Sequence, residues 1–405
     1  MKSPAIVVVG YNRPEALSRL LMSLSEANFD GASVPLIISI DQNDNAGVAK
    51  IADDFRWNYG EKIVNVHPKR LGLRKHIISC GNLALQYGSA IVLEDDLFVS
   101  PNFYMFAKAA IAFYEKEDKI AGISLYSHLW NVNCSRPFVP ADDGMDAYFL
   151  QFAQSWGQVW TASMWRSFID WYNDNAADIQ DEPDLPQTVV HWPDTSWLKY
   201  FIKYLVRTNR YFVYPRISLT TNFGDRGQHS KVVSSSYQVP LLLGDKKDYK
   251  FPKYDINAVI YDVFFERAEL GAALGVLEEE LCVDLYSSKG NNLGRRYWLT
   301  MTTANYRVHS SYGLRMRPHE VNIIYGIKGD DIYCYDTTCI YDESKNKRLI
   351  TKSKINRIAY ELRDTKRADI WVHGIVHLRK LVASAIKKVC ILTRIIDGAD
   401  FKLKK

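Results

Sequence analysis

Residues 90–96 read Ala90-Ile91-Val92-Leu93-Glu94-Asp95-Asp96, an apolar run followed at once by three carboxylates. Similar apolar runs recur earlier and later in the first 125 residues, at 5–9, 35–40, 62–66 and 120–125. Helical patterns separate the runs, at 14–27, 46–57, 73–87 and 101–114. Runs without polar alternation are typical of strands covered on both faces, and strands that alternate with helices form parallel sheets. This part of the chain therefore predicts an α/β fold with a mostly parallel, twisted sheet flanked by helices.

The remainder of the 405-residue chain changes character twice. Residues 148–238 are rich in tryptophan, and they predict two helices, at 162–173 and 195–206, joined by an acidic loop. Residues 239–345 contain short mixed patterns, with strands predicted at 281–286, 321–327 and 331–335. A chain of this length predicts two or three domains. We therefore expect a first domain at 1–238 and a mixed α/β extension of unknown role at 239–345.

The basic charge of the chain is concentrated in its tail. Residues 341–405 hold 17 Lys and Arg against 7 Asp and Glu, whereas the whole chain has a net charge of +5. Apolar residues recur at helical spacing from Trp371 to Ile396, and Lys380, Lys387 and Arg394 follow at seven-residue steps. Residues 346–405 thus predict a basic helical tail, which either lies on an anionic membrane surface or packs on its own chain or on a second subunit of a homodimer. A mildly acidic body with such a tail does not indicate a nucleic-acid partner.

Compartment signals along the chain are weak. No apolar run reaches the ~18 residues that a membrane-spanning helix requires, and the first apolar run is only a strand's length rather than a secretory signal. The six cysteines form no CxxC pair and no disulfide-like spacing, which favours reduced thiols. We expect a cytoplasmic protein, free or peripheral on the inner face of the cell membrane.

Polar side chains follow several of the predicted strands. In open α/β sheets ligands bind beyond the carboxyl ends of the strands, and three strands end there in Gly10-Tyr11-Asn12-Arg13, Asp41 and Glu94-Asp95-Asp96. Consecutive carboxylates repel one another, and a divalent cation such as Mn²⁺ or Mg²⁺, which prefers hard oxygen ligands, relieves that repulsion. The alternative is a solvated acidic turn that caps the helix predicted at 101. The convergence of three strands on one edge favours the metal site.

Other residues at this edge have two readings each. Asp41 either accepts a hydrogen bond from a uracil N3–H or forms a turn after its strand. Tyr11, Asn12 and Arg13 either contact base and phosphate or begin a helix. Residues 69–76 form a cationic cluster that either contacts a diphosphate or is an ordinary basic start of a helix. Within this cluster, Arg74 and His76 are the candidate donor-binding residues.

These segments resemble one family. Residues 91–103 look like the metal-binding segment of the eukaryotic β-1,2-N-acetylglucosaminyltransferases I, and 35–42 resembles their second strand with its uracil-contacting aspartate. The stretch at 155–165 is similar to their Gly/Trp segment, Trp192-Pro193-Asp194 to their Trp-Asp-Asp, and 221–227 to the start of their mobile loop. The resemblance covers about 4–235 in order. Broad family-two bacterial transferases share much of this pattern.

The resemblance implies function as well as fold. These enzymes have the nucleotide-sugar-binding fold called GT-A, depend on manganese, use UDP-GlcNAc and invert the anomeric configuration. It implies that 1–238 is a GT-A catalytic domain, with a nucleotide-sugar half at 1–125 and an acceptor half at 126–238.

The resemblance also implies a role for each matched residue. Asp96 would bind the metal, Glu94, Asp95 and Gly224 would hold the donor, and Asp194 would be the catalytic base. Trp156, Trp160 and Trp192 would contact the acceptor. Asp194 could instead cap the helix predicted at 195.

The resemblance is incomplete in ways that bear on the substrate. Two residues separate Asp194 from Trp197, where the family has Trp directly after the base, and 236–405 have no counterpart. These departures favour a bacterial surface-polysaccharide enzyme, for capsule or lipopolysaccharide, that transfers a sugar from a UDP-sugar to a saccharide or lipid-linked saccharide. A sugar nucleotidyltransferase would need a glycine-rich loop after the first strand, where only Gly10 stands. A degenerate scaffold subunit is the third alternative.

Overall fold

The structure is a computed structural model. It describes residues 3–175, 179, 182–225 and 235–341, and a few positions beyond them (357, 359–361, 374, 375 and 378). The basic helical tail predicted at 346–405 lies almost wholly outside the described residues. Among the helices that are described, none combines the length and apolar character needed to cross a bilayer.

Strands and helices alternate through the first part of the chain, as predicted. The elements are β1 (Ala5–Gly10), α1 (Pro14–Ser25), β2 (Leu36–Ile40), α2 (Ala46–Asp54), β3 (Lys62–Val66), α3 (Leu73–Gly81), α4 (Leu83–Tyr87), β4 (Ser89–Glu94), β5 (Leu97–Val99), α5 (Phe103–Tyr114) and β6 (Ile120–Ser124). The single helix predicted at 73–87 is interrupted at Asn82, whose side chain accepts a hydrogen bond from Trp165 Nε1 at 2.8 Å. Pro14 begins α1 as predicted, because its fixed φ suits a first helical position.

Short strands and three helices make up the next part of the chain. They are β7 (Trp130–Asn131), β8 (Arg136–Pro137), β9 (Ala147–Leu150), β10 (Gln158–Thr161), α6 (Ala162–Asn175), α7 (Gln187–Val190), α8 (Trp197–Thr208), β11 (Tyr211–Pro215), β12 (Thr220–Asn222) and β13 (Ile260–Tyr261). The helices predicted at 162–173 and 195–206 are confirmed as α6 and α8.

One large sheet organises these elements. Among the described residues its nine strands run in the order β13-β9-β11-β6-β10-β4-β1-β2-β3. β4, β1, β2 and β3 are parallel, β11 is parallel to β6, and β10 is antiparallel to both of its neighbours. The central strands are buried on both faces, whereas the edge strand β3 is largely exposed. The predicted class, an α/β fold with a mostly parallel sheet, is confirmed.

A second, smaller core follows the large sheet. It contains α9 (Gly271–Leu274), a 3₁₀ helix (Glu278–Glu280), β14 (Leu281–Asp284), β15 (Tyr297–Thr300), β16 (Tyr306–Tyr312), α10 (Val321–Ile324) and β17 (Ile332–Ile340). Within the described residues β14, β15, β17 and β16 form a separate sheet in that order. The strand predicted at 321–327 is wrong, because this segment begins with α10. Buried Asn322 stabilises the helical turn there by donating to the carbonyls of Met316 and His319.

The packing divides these two cores near residue 270. Phe251 and Tyr254 pack against the first core, Phe265 is buried within it, and the second core begins at Leu270. The boundary predicted at 238 stays a prediction, since packing alone does not test which segments fold or act independently.

Candidate active site

A cleft of about 400 Å³ lies at the carboxyl ends of β1, β2 and β4. It is the place where the sequence predicts that polar residues converge. Ten of the predicted site residues line it, namely Tyr11, Asn12, Arg13, Asp41, His76, Glu94, Asp95, Asp96, Trp156 and Gly224. The sheet topology explains this, because parallel neighbouring strands deliver their carboxyl ends to one edge.

The acidic triplet lies at the floor of the cleft. Glu94 ends β4, and the backbone N–H of Asp95 donates to the carbonyl of Val9 at 3.0 Å, which continues the β1–β4 pairing. The guanidinium of Arg13 forms ion pairs with Asp95 and, at 3.3 Å, with Asp96 Oδ2. Asp95 Oδ2 and Asp96 Oδ1 are buried and have no hydrogen-bond partner among the described residues.

Burial dominates the electrostatics of this group. It raises the pKa of Glu94 well above its usual value, and the charges of Asp96 and Asp95 raise it further. Burial also raises the pKa of Asp95 to about 6, although Arg13 opposes that shift. For Arg13 burial alone would lower the pKa, but the neighbouring carboxylates outweigh it and hold the guanidinium charged.

The donor set suits a hard divalent cation. A buried carboxylate oxygen without a partner costs free energy, and two such oxygens on adjacent residues are what a cation with oxygen ligands would satisfy. Among the described residues, however, no three His, Cys, Asp or Glu side chains are arranged to hold a metal without further ligands. Asp95 and Asp96 therefore fit a cation that completes its coordination with water and substrate phosphates, as Mg²⁺ and Mn²⁺ sites commonly do.

Asp41 shapes the wall of the cleft. Its Oδ1 accepts the backbone N–H groups of Gln42 at 2.9 Å and Leu71 at 2.8 Å, and its Oδ2 accepts that of Gly72 at 2.9 Å. Gly72 has a φ of 74°, a left-handed conformation that favours glycine. Asp41 thus holds the loop before α3 against the cleft. Its predicted contact with uracil stays a prediction.

Arg74 and His76, the two donor-binding residues predicted within 69–76, differ in position and in charge. His76 lines the cleft, and its Nε2 lies 2.8 Å from Ser39 Oγ, which also lies 3.1 Å from His67 Nε2. Burial lowers the pKa of His76 to about 4, so the imidazole is neutral at pH 7. Arg74 instead stacks over Tyr200 at 5.0 Å and does not line the cleft, whereas Arg70 does.

The three tryptophans predicted to bind acceptor occupy different environments. Trp156 lines the cleft between Tyr126 and Tyr237, with ring centroids 4.7 Å from each. Trp160 is completely buried and packs on Trp165, so its predicted contact with an acceptor is wrong for this structure, since the side chain has no exposed surface. Trp192 is half-buried outside the cleft lining, so its contact stays a prediction.

Asp194 lies beside the cleft. Its side chain is 61% exposed, and its Oδ1 pairs with the ammonium of Lys199 at 3.1 Å. Lys199 is almost wholly buried and also donates to the carbonyl of Trp192 at 3.1 Å. The helix cap is Ser196, whose side chain accepts the N–H of Lys199, so the alternative reading of Asp194 as the cap of α8 is wrong. Ser196 and Trp197, next along the chain, line the cleft.

Sequence reasoning missed two residues that line the cleft, Asp225 and Tyr237. Asp225 lines the cleft and pairs with Arg19 of α1, which stacks over Phe223 at 3.7 Å. Tyr237 lines the cleft beside Trp156. Asp225 stands one residue after Gly224, so its place in the glycine-containing loop was the signal available. For Tyr237 no local signal existed, because its position depends on packing.

Comparison with known proteins identifies the family of this chain. The sequence model of the GNT-I family matches residues 1–273. The chain belongs to the GNT-I family, which bears out the resemblance and the GT-A class predicted from the sequence. Because the match extends past residue 235, the expectation that 236–405 have no counterpart in the family is wrong for 236–273.

One relative and two solved structures illustrate the range of similarity. The chain is 26% identical over 258 residues to "Alpha-1,3-mannosyl-glycoprotein 2-beta-N-acetylglucosaminyltransferase" of Arabidopsis thaliana; the match covers 60% of this chain and 52% of the relative, so the chain spans about half of that protein's length. S. aureus TarS 1-349 in complex with UDP-GlcNAc is 12% identical, with a TM-score of 0.35 over 56% of this chain and 60% of that one. The mannosyltransferase PcManGT from Pyrobaculum calidifontis in complex with GDP-Man and Mn2+ is 8% identical, with a TM-score of 0.32 over 54% and 58%. At these TM-scores neither structure bears on the activity of this chain.

Proposed function

We propose that this protein is an inverting, metal-dependent glycosyltransferase that moves a sugar from a UDP-sugar to a saccharide acceptor. The observation that carries the proposal is the acidic cleft of a GNT-I family chain, where two buried carboxylate oxygens have no hydrogen-bond partner in the described part of the chain and lie beside a charged Arg13. An anionic nucleotide with its cation would satisfy both the carboxylates and the guanidinium.

The identity of the donor sugar is the next step of the proposal. UDP-GlcNAc is our first candidate, because the relative from Arabidopsis thaliana is named as an N-acetylglucosaminyltransferase, and another UDP-hexose is the alternative. We further propose a saccharide or lipid-linked saccharide of a bacterial surface polysaccharide as the acceptor, on the basis of the departures from the family pattern.

The residues of the cleft have separate tasks in this reaction. A divalent cation bound by Asp96, with Asp95, would act as a Lewis acid toward the leaving diphosphate. Arg13 and Arg70 provide positive charge to the same phosphates, and such preorganised charge stabilises a leaving group without reorganising at the moment of reaction. Asp41 positions the loop at Leu71 and Gly72, which would form the wall beside the uracil ring of the donor.

Single displacement at the anomeric carbon requires a base for the acceptor hydroxyl. We propose Asp194 for this task, because its carboxylate is exposed to an incoming acceptor and is oriented by the buried ammonium of Lys199. The indole of Trp156, which lines the cleft, would provide an apolar face for a sugar ring.

A donor screen tests the reaction. The full chain is incubated with UDP-GlcNAc, UDP-glucose, UDP-galactose and GDP-mannose, each with Mn²⁺ or with EDTA, and nucleoside diphosphate release is measured. We expect release from one UDP-sugar in Mn²⁺ and none in EDTA. Release that is unaffected by EDTA would contradict the metal dependence, and a preference for GDP-mannose would contradict the donor.

The base is tested with the matched donor and an acceptor that the enzyme uses. Asp194→Asn should bind UDP and Mn²⁺ as the wild type does but lose about 10²–10⁴ in kcat, because only the proton acceptor is removed. Asp184→Asn is the control, since Asp184 is also a partly exposed carboxylate that pairs with a basic side chain, that of Arg207. NMR of the product should show inverted anomeric configuration, and retention would rule out single displacement.

A further inference from the structure

We infer that Arg13 is a positioning residue that serves as the built-in counter-cation of the acidic triplet. In that role it makes the cleft take a divalent cation together with a nucleoside diphosphate rather than alone. The inference rests on the metal-dependent part of the proposed function. It concerns whether the cation binds with or without the nucleotide, which neither the fold nor the family match addresses.

Arg13 contacts only one carboxylate oxygen of each aspartate. Its guanidinium donates to Asp95 Oδ1 and, at 3.3 Å, to Asp96 Oδ2. The other oxygen of each residue, Asp95 Oδ2 and Asp96 Oδ1, is buried and without a partner among the described residues. A planar guanidinium holds two carboxylates in a fixed geometry. Arg13 therefore keeps one oxygen of each aspartate available for a cation.

The backbone around Arg13 is itself constrained. Arg13 is the residue before α1, and Pro14 follows it at the first helical position. Proline disfavours the helical conformation in the residue before it, and Arg13, with φ −119° and ψ 82°, lies outside the helical region. The side chain that extends from this backbone is 23% exposed.

The charge of Arg13 explains why the cation would bind together with the nucleotide rather than alone. The guanidinium of Arg13 adds one positive charge beside the carboxyl groups of the triplet. A unit charge about 5 Å from a bound ion, at the effective dielectric of a partly buried site, changes the affinity for that ion by at least about tenfold. Arg13 thus weakens the binding of a free cation and strengthens the binding of an anionic diphosphate.

The test uses the full chain, Mn²⁺ and UDP as the two probes. Free Mn²⁺ is measured by electron paramagnetic resonance, and UDP binding in EDTA is measured by calorimetry. We expect Arg13→Met to bind Mn²⁺ without nucleotide at least about tenfold more tightly than the wild type, and to bind UDP at least about tenfold more weakly. These opposite shifts follow from charge, whereas damage to the local structure would weaken both.

Two further variants isolate the cause. Arg13→Lys retains the charge, so its Mn²⁺ affinity should stay within about threefold of the wild type. Arg19→Met is the matched control, because Arg19 belongs to the following helix and pairs with Asp225, a different carboxylate of the cleft. Its nucleotide-free Mn²⁺ affinity should change by less than about threefold.

Each outcome decides the matter. Unchanged or weaker Mn²⁺ binding by Arg13→Met, or equal behaviour of Arg13→Lys and Arg13→Met, overturns the counter-cation role while leaving the proposed transferase intact. Absence of Mn²⁺ binding by the wild type both with and without UDP removes the metal from the proposed function, and this inference with it.

Discussion

Two groups of charged side chains in this molecule have the same number of carboxylates and cations but different surroundings. The cleft cluster consists of Arg13, Glu94, Asp95 and Asp96. The junction cluster consists of Asp262, Glu266, Asp284 and Lys289, and it lies where the first core meets the second. Each contains three carboxylates and one cation. Only the residues of the cleft cluster line the large cleft.

The junction cluster is satisfied mainly by local backbone. Asp262 Oδ1 accepts the N–H groups of Phe264 and Glu266, and Asp284 Oδ1 accepts those of Ser288 and Lys289. The ammonium of Lys289 lies 2.6 Å from Asp262 Oδ2.

One oxygen of the junction cluster is an exception. Glu266 Oε2 is buried without a partner among the described residues, and burial, followed by the charge of Asp284, raises the pKa of Glu266 well above its usual value. Carboxylate count therefore does not define a site; what distinguishes the cleft cluster is that its residues line the cleft, whereas those of the junction cluster do not.

The largest expected effect separates the clusters by function. Asp96→Ala should reduce transfer by about 10³-fold or more, since a Lewis-acid site contributes several kcal/mol to such a step. Its unfolding free energy, measured by urea denaturation, should change by less than about 1 kcal/mol, because the substitution removes one of several repelling carboxylates. An active Asp96→Ala protein would mean that the metal ligand lies elsewhere.

The second effect is the reverse of the first. Lys289→Met should lower the unfolding free energy by about 3–5 kcal/mol, because it leaves the buried junction carboxylates without their cation. At a temperature where the variant is folded, its KM for donor should match that of the wild type. Lys250→Met is a suitable control for loss of a lysine at the surface. A stable Lys289→Met protein would show that the junction carboxylates are already neutral.

A third effect, smaller than these, concerns a residue with features of both clusters. Asp41 lines the cleft, yet both of its oxygens accept backbone N–H groups, as in the junction cluster. Asp41→Asn should therefore weaken UDP binding and also lower the unfolding free energy by about 1–3 kcal/mol, because one amide hydrogen now faces a donor. Calorimetry with UDP and urea denaturation measure the two effects, and unchanged UDP affinity would remove Asp41 from the donor site.

The parts of the molecule that were predictable are those set by local sequence. The apolar runs specified β1, β2, β4 and β6, and strand direction then brought their polar ends together. The second core was misread at 321–327, where buried Asn322 stabilises α10 through hydrogen bonds to the carbonyls of Met316 and His319, which an apolar pattern does not reveal.

Trp156 and Trp160 show that sequence patterns also fail to place single residues. Trp156 and Trp160 lie four residues apart and would share a face in a continuous strand. Gly157 intervenes with a φ of 94°, and β10 begins only at Gln158. The chain therefore turns between the two tryptophans, and one lines the cleft while the other is buried in the core. No periodicity argument separates them.

The smallest expected effect is a pH dependence that only the cleft cluster should confer on ligand binding. Burial raises the pKa of Asp95 to about 6, above the usual 3.8, so the folded protein binds this proton more tightly than the unfolded chain does. In the metal-free protein this favours folding at low pH, and the contribution is lost as pH rises from about 4 to about 6. Binding of Mn²⁺ with UDP has the opposite sign, since the cation must displace the proton. Its apparent affinity should fall by up to about tenfold per pH unit below 6. Calorimetry between pH 5 and 7 measures this slope, which should be shallower in Asp95→Asn. A slope that is the same in that variant would assign the proton to another group, and Glu94, whose pKa burial also raises, would be the next residue to substitute.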